Sequence, residues 1–384
     1  MTGPATESAA DVIIVGGGLM GASAALFLRN RGRSVILLER GLVGQQASGV
    51  NFGNVRRQGR YLSQLPLANR SREIWGRLPE LVGEDCEFTP SGHLRVFYSP
   101  EQAAKGEAYA RDARAYDLEL EIIAGNALRD RYPYLGREVL MGSLGPVDGH
   151  ANPRLVAPAF GRAAARAGAR IEENAEVLDI GKVGEDFEVE TRDRGRFRAP
   201  VLLITAGAWA GAMAERLGEP VPLVARGPQM GVTEPVPYRI EPTLGVSTML
   251  EEETVYMRQV RRGNIVFGGG NRVALEPGAL HAHVDPQNTL NQMPQLRRLV
   301  PAIANLRVIR TWSGVESYLP DDLPIIGPSA KVAGLYYAFG FCGAGFQVGP
   351  GVGDVMAELI DTGSTVTPIE PFHIHRFTTE QPAG

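Results

Sequence analysis

Three glycines near the start of the chain have the spacing of a dinucleotide-binding turn, because Gly16, Gly18 and Gly21 follow the pattern G-x-G-x-x-G. Gly16 permits a tight turn, Gly18 has no side chain to keep the backbone away from a pyrophosphate, and Gly21 permits close packing of a helix on a strand. Farther along, Glu39 can accept hydrogen bonds from the hydroxyls of an adenosine ribose and would repel a 2′-phosphate. The pattern therefore predicts a dinucleotide site that disfavours NADP.

The glycines stand between the elements that such a turn requires. An apolar run at residues 12–15 predicts a strand, the small and apolar residues 22–28 predict a helix, and a second apolar run at 35–38 ends at Glu39. The unpaired N–H groups at the start of that helix would face the phosphates. Together these elements predict a β-α-β unit, followed at residues 41–61 by a polar, glycine-rich loop that we expect to be functional.

Composition limits the classes of function that remain. The chain has 384 residues, 44% hydrophobic and 21% charged, with a net charge of −4, which is typical of a globular protein of two or three domains. The acidic balance argues against nucleic acid as a partner. Cys86 and Cys342 are too few for a disulfide framework or a metal cluster, so we expect no metal and a reducing compartment. No apolar stretch is long enough for a membrane span and no export signal is evident, which predicts a cytoplasmic protein, with a peripheral position at the inner membrane as the alternative.

The remaining patterns predict two kinds of domain. Helices are predicted at residues 65–81, 101–116, 154–167, 286–299 and 351–360. Strands are predicted at residues 93–98, 177–180, 187–191, 201–204, 254–257, 264–268 and 335–339. Proline-punctuated alternation over 220–310 indicates an antiparallel sheet. We therefore expect an α/β protein with two domains. Residues 1–80, 150–222 and 310–384 would form a discontinuous nucleotide-binding domain. Residues 81–149 and 223–309 would form a substrate domain built on an antiparallel sheet.

Several longer motifs carry a resemblance to a known family. They are GGGLMG…LLER at 16–40, QASGVNFGNVRRQGR at 46–60, LLITAGAWA at 202–210, SGVESYLPDDLPIIGPS at 313–329 and GFCGAGFQVGPGVG at 340–353. With these motifs the chain resembles the FAD-dependent amine and amino-acid oxidoreductases, which include D-amino-acid oxidases and dehydrogenases, glycine oxidase and sarcosine oxidase. It is most similar to the beta-subunit-like branch with D-hydroxyproline dehydrogenase and opine oxidase. The resemblance implies a Rossmann-like FAD-binding domain.

The resemblance also implies which residues hold the cofactor. The expected FAD-binding residues are Gly16, Gly18, Leu19, Met20, Gly21, Glu39, Arg40, Ala47, Ser48, Asn51, Gly53, Val177, Ala206, Gly207, Trp209, Gly343, Gly345, Phe346 and Gln347. Monomeric sarcosine oxidase attaches its flavin through a cysteine in a stretch that matches residues 315–319, and this chain has none there. FAD is therefore expected to bind without a covalent bond.

Two departures from the family bear on the chemistry. Glu316 stands where glycine oxidase and D-amino-acid oxidase place the arginine that binds the substrate carboxylate, and one carboxylate cannot hold another. Val266 stands where monomeric sarcosine oxidase has a lysine that helps to activate oxygen. The valine at 266 favours a dehydrogenase over an oxidase. The glutamate at 316 implies that the arginine that binds the carboxylate lies elsewhere in the chain.

The candidate catalytic residues are Glu316, Arg57, Tyr256 and Arg258. Arg57 lies in the string VRRQGR at residues 55–60, whose arginines suit a bidentate contact with a carboxylate. The alternative for this string is a solvated loop or a subunit contact. Tyr256 and Arg258 alternate along one predicted strand and so share a face, which would either bind substrate or pack within the sheet.

Other titratable residues have plainer interpretations. His150 is either a general base or, as we expect, a structural hydrogen-bonding residue. His281, His283 and the acidic run 251–253 are expected at the surface.

The sequence thus predicts FAD-dependent oxidation of an amino acid, or of a secondary-amine derivative of one, to the imine by hydride transfer to flavin. The electron acceptor would be a quinone, a redox partner or oxygen. The alternatives are a peroxide-forming oxidase and the flavoprotein subunit of a heteromeric opine- or sarcosine-type oxidase, so partner subunits or a homo-oligomer remain open. The further motifs disfavour a non-catalytic dinucleotide sensor.

Overall fold

The computed structural model of the protein describes residues 8–248, 250–276 and 278–377. The α-helices of these residues are α1 Leu19–Asn30, α2 Ala47–Val50, α3 Leu65–Gly76, α4 Leu78–Val82, α5 Pro100–Ala113, α6 Gly125–Arg131, α7 Pro153–Arg166, α8 Ala210–Arg216, α9 Pro286–Leu299 and α10 Gly345–Thr362. The strands of the first half are β1 Ser8–Ala9, β2 Val12–Val15, β3 Val35–Leu38, β4 Asn54–Val55, β5 His93–Phe97, β6 Glu121–Ala124, β7 Met141–Gly145, β8 Gly149–His150, β9 Arg170–Glu172, β10 Val177–Val183 and β11 Asp186–Thr191. The strands of the second half are β12 Arg196–Ala199, β13 Val201–Ile204, β14 Val224–Gly227, β15 Gln229–Pro235, β16 Thr243–Val246, β17 Val255–Gln259, β18 Asn264–Gly269, β19 Val273–Ala274, β20 Val308–Ser313, β21 Glu316–Tyr318, β22 Ile325–Pro328 and β23 Leu335–Phe339.

A six-stranded sheet in the order β22-β23-β13-β2-β3-β9 forms the centre of one half of the molecule. Its strands are parallel except for the edge strand β22. Ile14 and Leu37 pack with α1, α7 and α10 on one face, whereas Ile13 and Leu202 pack on the other face with Phe187, which belongs to the sheet β1-β12-β11-β10. Because both faces are covered, the strands are continuous apolar runs, as the sequence predicts.

An eight-stranded sheet in the order β20-β15-β18-β17-β16-β5-β7-β6 forms the second half. Its neighbouring strands are antiparallel except for β16 and β5, which are parallel. The expected antiparallel sheet therefore contains one parallel pair of strands. There, two chain segments that are far apart in sequence meet edge to edge, and no hairpin dictates their direction.

Alternation along these strands gives the sheet two different faces. Leu94, Leu244, Met257 and Phe267 belong to one buried cluster, together with side chains from α9. The residues next to them in the chain point to the opposite face because side chains alternate along a strand. That opposite face forms part of the cavity described below.

The helix α10 begins at Gly345, six residues before the predicted start at residue 351. Its glycines and Pro350 resemble a loop in sequence, but they permit close packing on α1. A Cβ atom at Gly349 would lie 2.6 Å from Leu19 Cδ2, and one at Gly353 would collide with Ser23 Oγ. Tertiary packing therefore overrides the low helix propensity of glycine. The loop 41–61 also differs from expectation, since it contains α2 and β4.

None of the helices in the described ranges combines the length and the apolar character needed to cross a bilayer.

Candidate active site

A cavity of about 590 Å³ lies where the two halves meet. The carboxyl ends of β2, β3 and β23 reach it through Val15, Leu38 and Phe339, and Tyr256 of the eight-stranded sheet lines it from the other side. The carboxyl ends of parallel strands are the usual ligand-binding edge of an open α/β sheet.

The glycine turn after β2 has the geometry of an anion site. Gly16 has φ +109°, and a Cβ atom there would lie 2.7 Å from the carbonyl carbon of Thr205. A Cβ atom at Gly21 would collide with the oxygen of Gly16, so this glycine permits helix–strand packing and does not line the cavity itself. The helix α1 begins after Gly18, which has no side chain that could cap it. Ser48 Oγ accepts a hydrogen bond of 2.8 Å from the backbone N–H of Leu19, and both residues line the cavity.

The carboxylate of Glu39 is fixed next to this turn. It accepts hydrogen bonds of 2.7 Å from the backbone N–H groups of Gly17 and Gly41. The neighbouring side chain of Arg40 stacks on Trp209, with its guanidinium carbon 4.3 Å from the ring centre. Glu39, Arg40, Trp209 and Val177 all line the cavity, so the residues expected around adenosine are brought together.

A second helix N-terminus opens into the same cavity. The helix α10 begins after Ala344 without a side-chain cap, and Gly343 before it has φ +75°. Two buried acceptors of the described residues, Asn54 Oδ1 and Gln347 Oε1, have no hydrogen-bond partner and belong to residues that line this cavity. A flavin ring carries an N–H donor that can meet such an acceptor, and helix N-termini suit the phosphates of FAD and the electron-rich edge of its ring. The residues present therefore fit FAD.

The other expected cofactor residues divide into two groups. Those found on the cavity wall are Met20, Ala47, Ser48, Asn51, Ala206, Gly207, Gly345 and Phe346. Gly53 stands behind the wall, where a Cβ atom would collide with the carbonyl oxygen of Ala151 and lie 2.9 Å from Arg258 Nη2. Gly53 is thus a close-packing position of the loop.

Glu316 is on the cavity wall, beside the Gly343 turn. Its Oε2 accepts a hydrogen bond of 2.8 Å from the hydroxyl of Tyr318, and a Cβ atom at Gly343 would lie 3.3 Å from the same oxygen. Burial raises the pKa of the Glu316 carboxyl, while the hydrogen bond from Tyr318 and the charge of Arg272 oppose that rise. Burial also raises the pKa of Tyr256, another wall residue, to about 12, so this hydroxyl stays protonated at neutral pH.

The structure does not bring Arg57 to the cavity. Its backbone N–H donates to Asp148 Oδ2 at 2.9 Å, its Nε lies 3.3 Å from Asp148 Oδ1, and its Nη1 donates to Asn69 at 2.9 Å. Asp148 is fully buried, and a buried carboxylate requires a partner. Arg57 therefore anchors the loop, and its neighbours Arg56 and Arg60 are the ones that line the cavity.

Arg258 is likewise held within the wall and is not a lining residue. Its Nε donates to the carbonyl oxygen of Phe52 at 2.8 Å, and its Nη1 lies 3.1 Å from His150 Nδ1. Burial lowers the pKa of Arg258 to about 10, and burial together with Arg258 lowers that of His150 to about 3. These contacts favour the structural interpretation of His150, and the Arg258 side chain supports the wall residue Phe52.

Arg95 lines the cavity and was not singled out from the sequence. In the sequence, a sign of this position is that His93 and Arg95 alternate with apolar residues along one strand. Their position on the cavity face depends on the pairing of β5 with β16, which the sequence pattern does not give.

A second cavity of about 570 Å³ adjoins the first. Arg56, Arg60, Arg272 and Tyr318 line both cavities, and Arg226 lines the second alone. An anionic molecule that approaches through the second cavity would therefore meet positive charge before it reaches the first.

The remaining titratable candidates show no sign of a role in chemistry or metal binding. His281 and His283 are exposed, and Glu251 of the acidic run forms an ion pair with Arg272. Among the described residues, no group of three or more His, Cys, Asp and Glu side chains could hold a metal ion. Cys342 lines the cavity, but its thiol donates to the carbonyl oxygen of Gly340 at 3.2 Å, and burial raises its pKa to about 11.

Known proteins match the chain along almost its whole length. Glycine oxidase from Geobacillus kaustophilus (strain HTA426) is 28% identical over 379 residues, which cover 95% of this chain and 97% of that protein. Sarcosine oxidase subunit beta from Arthrobacter sp is 27% identical over 388 residues, which cover 98% of this chain and 93% of that protein. The crystal structure of L-proline dehydrogenase from P. horikoshii superposes with a TM-score of 0.90 at 25% identity, covering 97% of this chain and 99% of that chain. A family model described as "DAO: FAD dependent oxidoreductase" matches residues 11–359, and the chain therefore belongs to this family of FAD-dependent oxidoreductases.

Proposed function

We propose that the protein oxidises the CH–NH group of an amino acid, or of an N-alkyl derivative of one, to the imine. The observation that carries this proposal is the wall of one cavity, which contains both the glycine turns suited to FAD and a set of polar side chains suited to an amino acid, among them Glu316, Tyr256 and Arg56. Groups that can bind a carboxylate and an amine thus lie beside the cofactor cradle, as this oxidation requires.

Different side chains of the cavity bind the carboxylate and the amine of the substrate. When bound, FAD supplies the acceptor for the hydrogen and electron pair of the substrate C–H bond. The guanidinium groups of Arg56 and Arg60 hold the substrate carboxylate, a role that their forked donors suit. Glu316 faces the amine, since Tyr318 occupies its Oε2 and its Oε1 has no hydrogen bond to a described residue. With its raised pKa, Glu316 can take the proton that an ammonium group must lose before hydride leaves the carbon.

We propose that FAD is held, without a covalent bond, by the residues that the resemblance implies. Gly21 and Gly53 act indirectly, through packing. The proposed domain division also follows the sequence, with one change. The strand β20 crosses the expected boundary at 309/310 and pairs with β15 of the eight-stranded sheet, so we place that boundary after Ser313.

A dehydrogenase is the preferred form of the activity. Val266 lies opposite Arg258 across β17 and β18, and no lysine of the described residues lines the cavity. The alternative of a flavoprotein subunit is favoured by a specific observation, because several relatives are named as beta subunits of sarcosine oxidase. A peroxide-forming oxidase remains the other alternative. The cytoplasmic compartment stays a prediction.

Anaerobic mixing of the FAD-loaded protein with D-, L- and N-alkyl amino acids tests the proposal. The flavin absorbance at about 450 nm should decrease with at least one of these amino acids, since two electrons pass from the substrate to each FAD. If untagged partner subunits purify together with the tagged protein, the result would favour a heteromeric oxidase. If no amine or amino acid of the panel bleaches the flavin while dithionite does, the proposed function is wrong.

A further inference from the structure

We propose that the preferred substrate carries two carboxylates around its amine, as a dicarboxylic amino acid or an N-carboxyalkyl amino acid does, and that Arg95 together with Arg56 binds the second carboxylate. The inference rests on the proposed function, because it specifies the substrate of the same site. It stands on three observations: the position of Arg95 on the sheet, the absence of ion pairs at Arg56, Arg60 and Arg95, and the open space between Arg95 and Tyr256.

Arg95 belongs to a row of residues that crosses the cavity face of the eight-stranded sheet. Arg95 of β5 pairs with Gly245 of β16, and Gly245 pairs with Tyr256 of β17. Next in the row, Tyr256 pairs with Gly268, and Gly268 with Met230. Because strands are spaced by about 4.8 Å, the backbone of Arg95 lies about 10 Å from that of Tyr256.

Glycine at position 245 keeps the interval between these two side chains open. Any larger residue there would project from the same face, between Arg95 and Tyr256. The ring of His93 borders the interval, with Nε2 3.3 Å from where a Cβ atom of Gly245 would lie. Gly245, His93, Arg95 and Tyr256 all line the cavity, so a ligand can extend along the row from Tyr256 towards Arg95.

Arg56, Arg60 and Arg95 form a cluster on the cavity wall, and none of the three makes an ion pair with a carboxylate of the described residues. Arg56 and Arg95 both place Nη1 against Gly59, so their charges are adjacent. The Arg56 side chain donates to the carbonyl oxygen of Gln58, and Arg60 donates to those of Arg56 and Ala344. The guanidinium of Arg95 makes no hydrogen bond or ion pair with any residue in the described ranges.

The buried carboxylate of Asp148 attracts Arg56 and Arg60 electrostatically, but its direct ion pair is with Arg57, and it does not act on Arg95. Burial and the neighbouring charge of Arg56 lower the pKa of Arg60 to about 9 and that of Arg95 to about 10. Three adjacent cations without a carboxylate in direct contact are unfavourable in the free protein, and they favour an anionic ligand.

One carboxylate does not satisfy all three guanidinium groups. A bidentate contact pairs one guanidinium fork with two carboxylate oxygens. With the first carboxylate at Arg60 and Arg56, the donors of Arg95 would still face an open cavity. The phosphates of FAD would be held at the α1 N-terminus beside Ser48 and would leave Arg95 unoccupied. A second substrate carboxylate is therefore the group that the free donors of Arg95 fit.

Matched pairs of substrates test the inference on the FAD-loaded protein. Aspartate is compared with asparagine, glutamate with glutamine, and iminodiacetate with sarcosine, using both enantiomers where they exist. The measured quantity is the rate of anaerobic flavin bleaching at limiting substrate. The dicarboxylic member should be faster by roughly ten- to a hundredfold, because it gains a charge-assisted hydrogen bond.

The variant Arg95→Gln should reduce this ratio to near one, and Arg95→Lys should restore part of it. FAD content and melting temperature identify any variant that fails to fold. Arg111→Gln is the matched control, since Arg111 is an exposed arginine of α5. A ratio near one in the unaltered protein, or an equal loss for both members of a pair in Arg95→Gln, would overturn the inference. An equal loss of rate for both members would instead indicate that the arginine cluster stabilises the negative charge of the reduced cofactor.

A binding measurement separates this inference from the proposed function. Malonate and succinate are titrated against acetate and propionate, with the perturbation of the flavin spectrum as the readout. Dicarboxylates should bind more tightly, and Arg95→Gln should abolish the difference. If that holds while no amine bleaches the flavin, the anion site stands and the proposed function falls. If amines bleach the flavin but dicarboxylates show no advantage in either assay, the inference alone falls.

Discussion

Arg57 and Asp148 hold the arginine loop in place, although the sequence suggested that Arg57 itself binds substrate. The backbone N–H of Arg57 donates to Asp148 Oδ2 at 2.9 Å, and its Nε lies 3.3 Å from Oδ1. This contact turns Arg57 away from the cavity and leaves Arg56 and Arg60 facing it.

The first prediction follows from that pair. Asp148→Ala should destabilise the folded protein by about 3–5 kcal/mol, because Arg57 keeps its charge without a buried partner. The melting temperature and FAD content should both fall, whereas Asp130→Ala, at an exposed position of α6, should change neither. A melting temperature for Asp148→Ala equal to that of the control would show that the pair does not support the loop.

The second prediction concerns the pH dependence of flavin reduction. Glu316 must be ionised to accept a proton, so the rate should rise with pH through its raised pKa. The hydrogen bond from Tyr318 lowers that pKa, and Tyr318→Phe should therefore move the rising limb to higher pH. Glu316→Gln should remove the limb. The measurement is the rate of anaerobic bleaching between pH 5 and 10, with Tyr238→Phe at an exposed tyrosine as the control. An unchanged limb in both active-site variants would exclude Glu316 as the proton acceptor.

The third prediction concerns how FAD is attached. Acid precipitation should release yellow flavin into the supernatant, and Cys342→Ala should keep its FAD. Gly18→Val should lose FAD, because a Cβ atom would lie only 3.1 Å from Ser48 Oγ and further methyl groups would block the approach of the pyrophosphate. Gly181→Val is the control, since nothing lies within 4 Å of a Cβ atom there. Flavin that stays with the pellet would contradict non-covalent binding.

The fourth prediction concerns the electron acceptor. A quinone or dye should reoxidise the reduced protein faster than oxygen does, because no lysine of the described residues lines the cavity and Arg56, Arg60 and Arg95 are assigned to substrate carboxylates. The comparison is steady-state turnover with each acceptor and one substrate. Hydrogen peroxide formed at the dye-linked rate would identify an oxidase.

The sequence predicted those parts of the site that depend on contiguous residues. The turn at Gly16, Gly18 and Glu39 could be read because strand, turn, helix and acid are adjacent in the chain. The role of Arg57 could not, because its partner Asp148 lies 91 residues away. Arg95 was missed for a similar reason, since its position on the cavity face depends on how distant strands pair.

The measurement that tests the account most directly combines flavin bleaching with product analysis in a single anaerobic turnover. With the best substrate and its α-deuterated form, one equivalent of imine-derived carbonyl compound should appear for each FAD reduced. Deuterium should slow the bleaching, because the C–H bond breaks in the same step. Bleaching without a carbonyl product, or a product formed without bleaching, would contradict the oxidation of a CH–NH group by this protein.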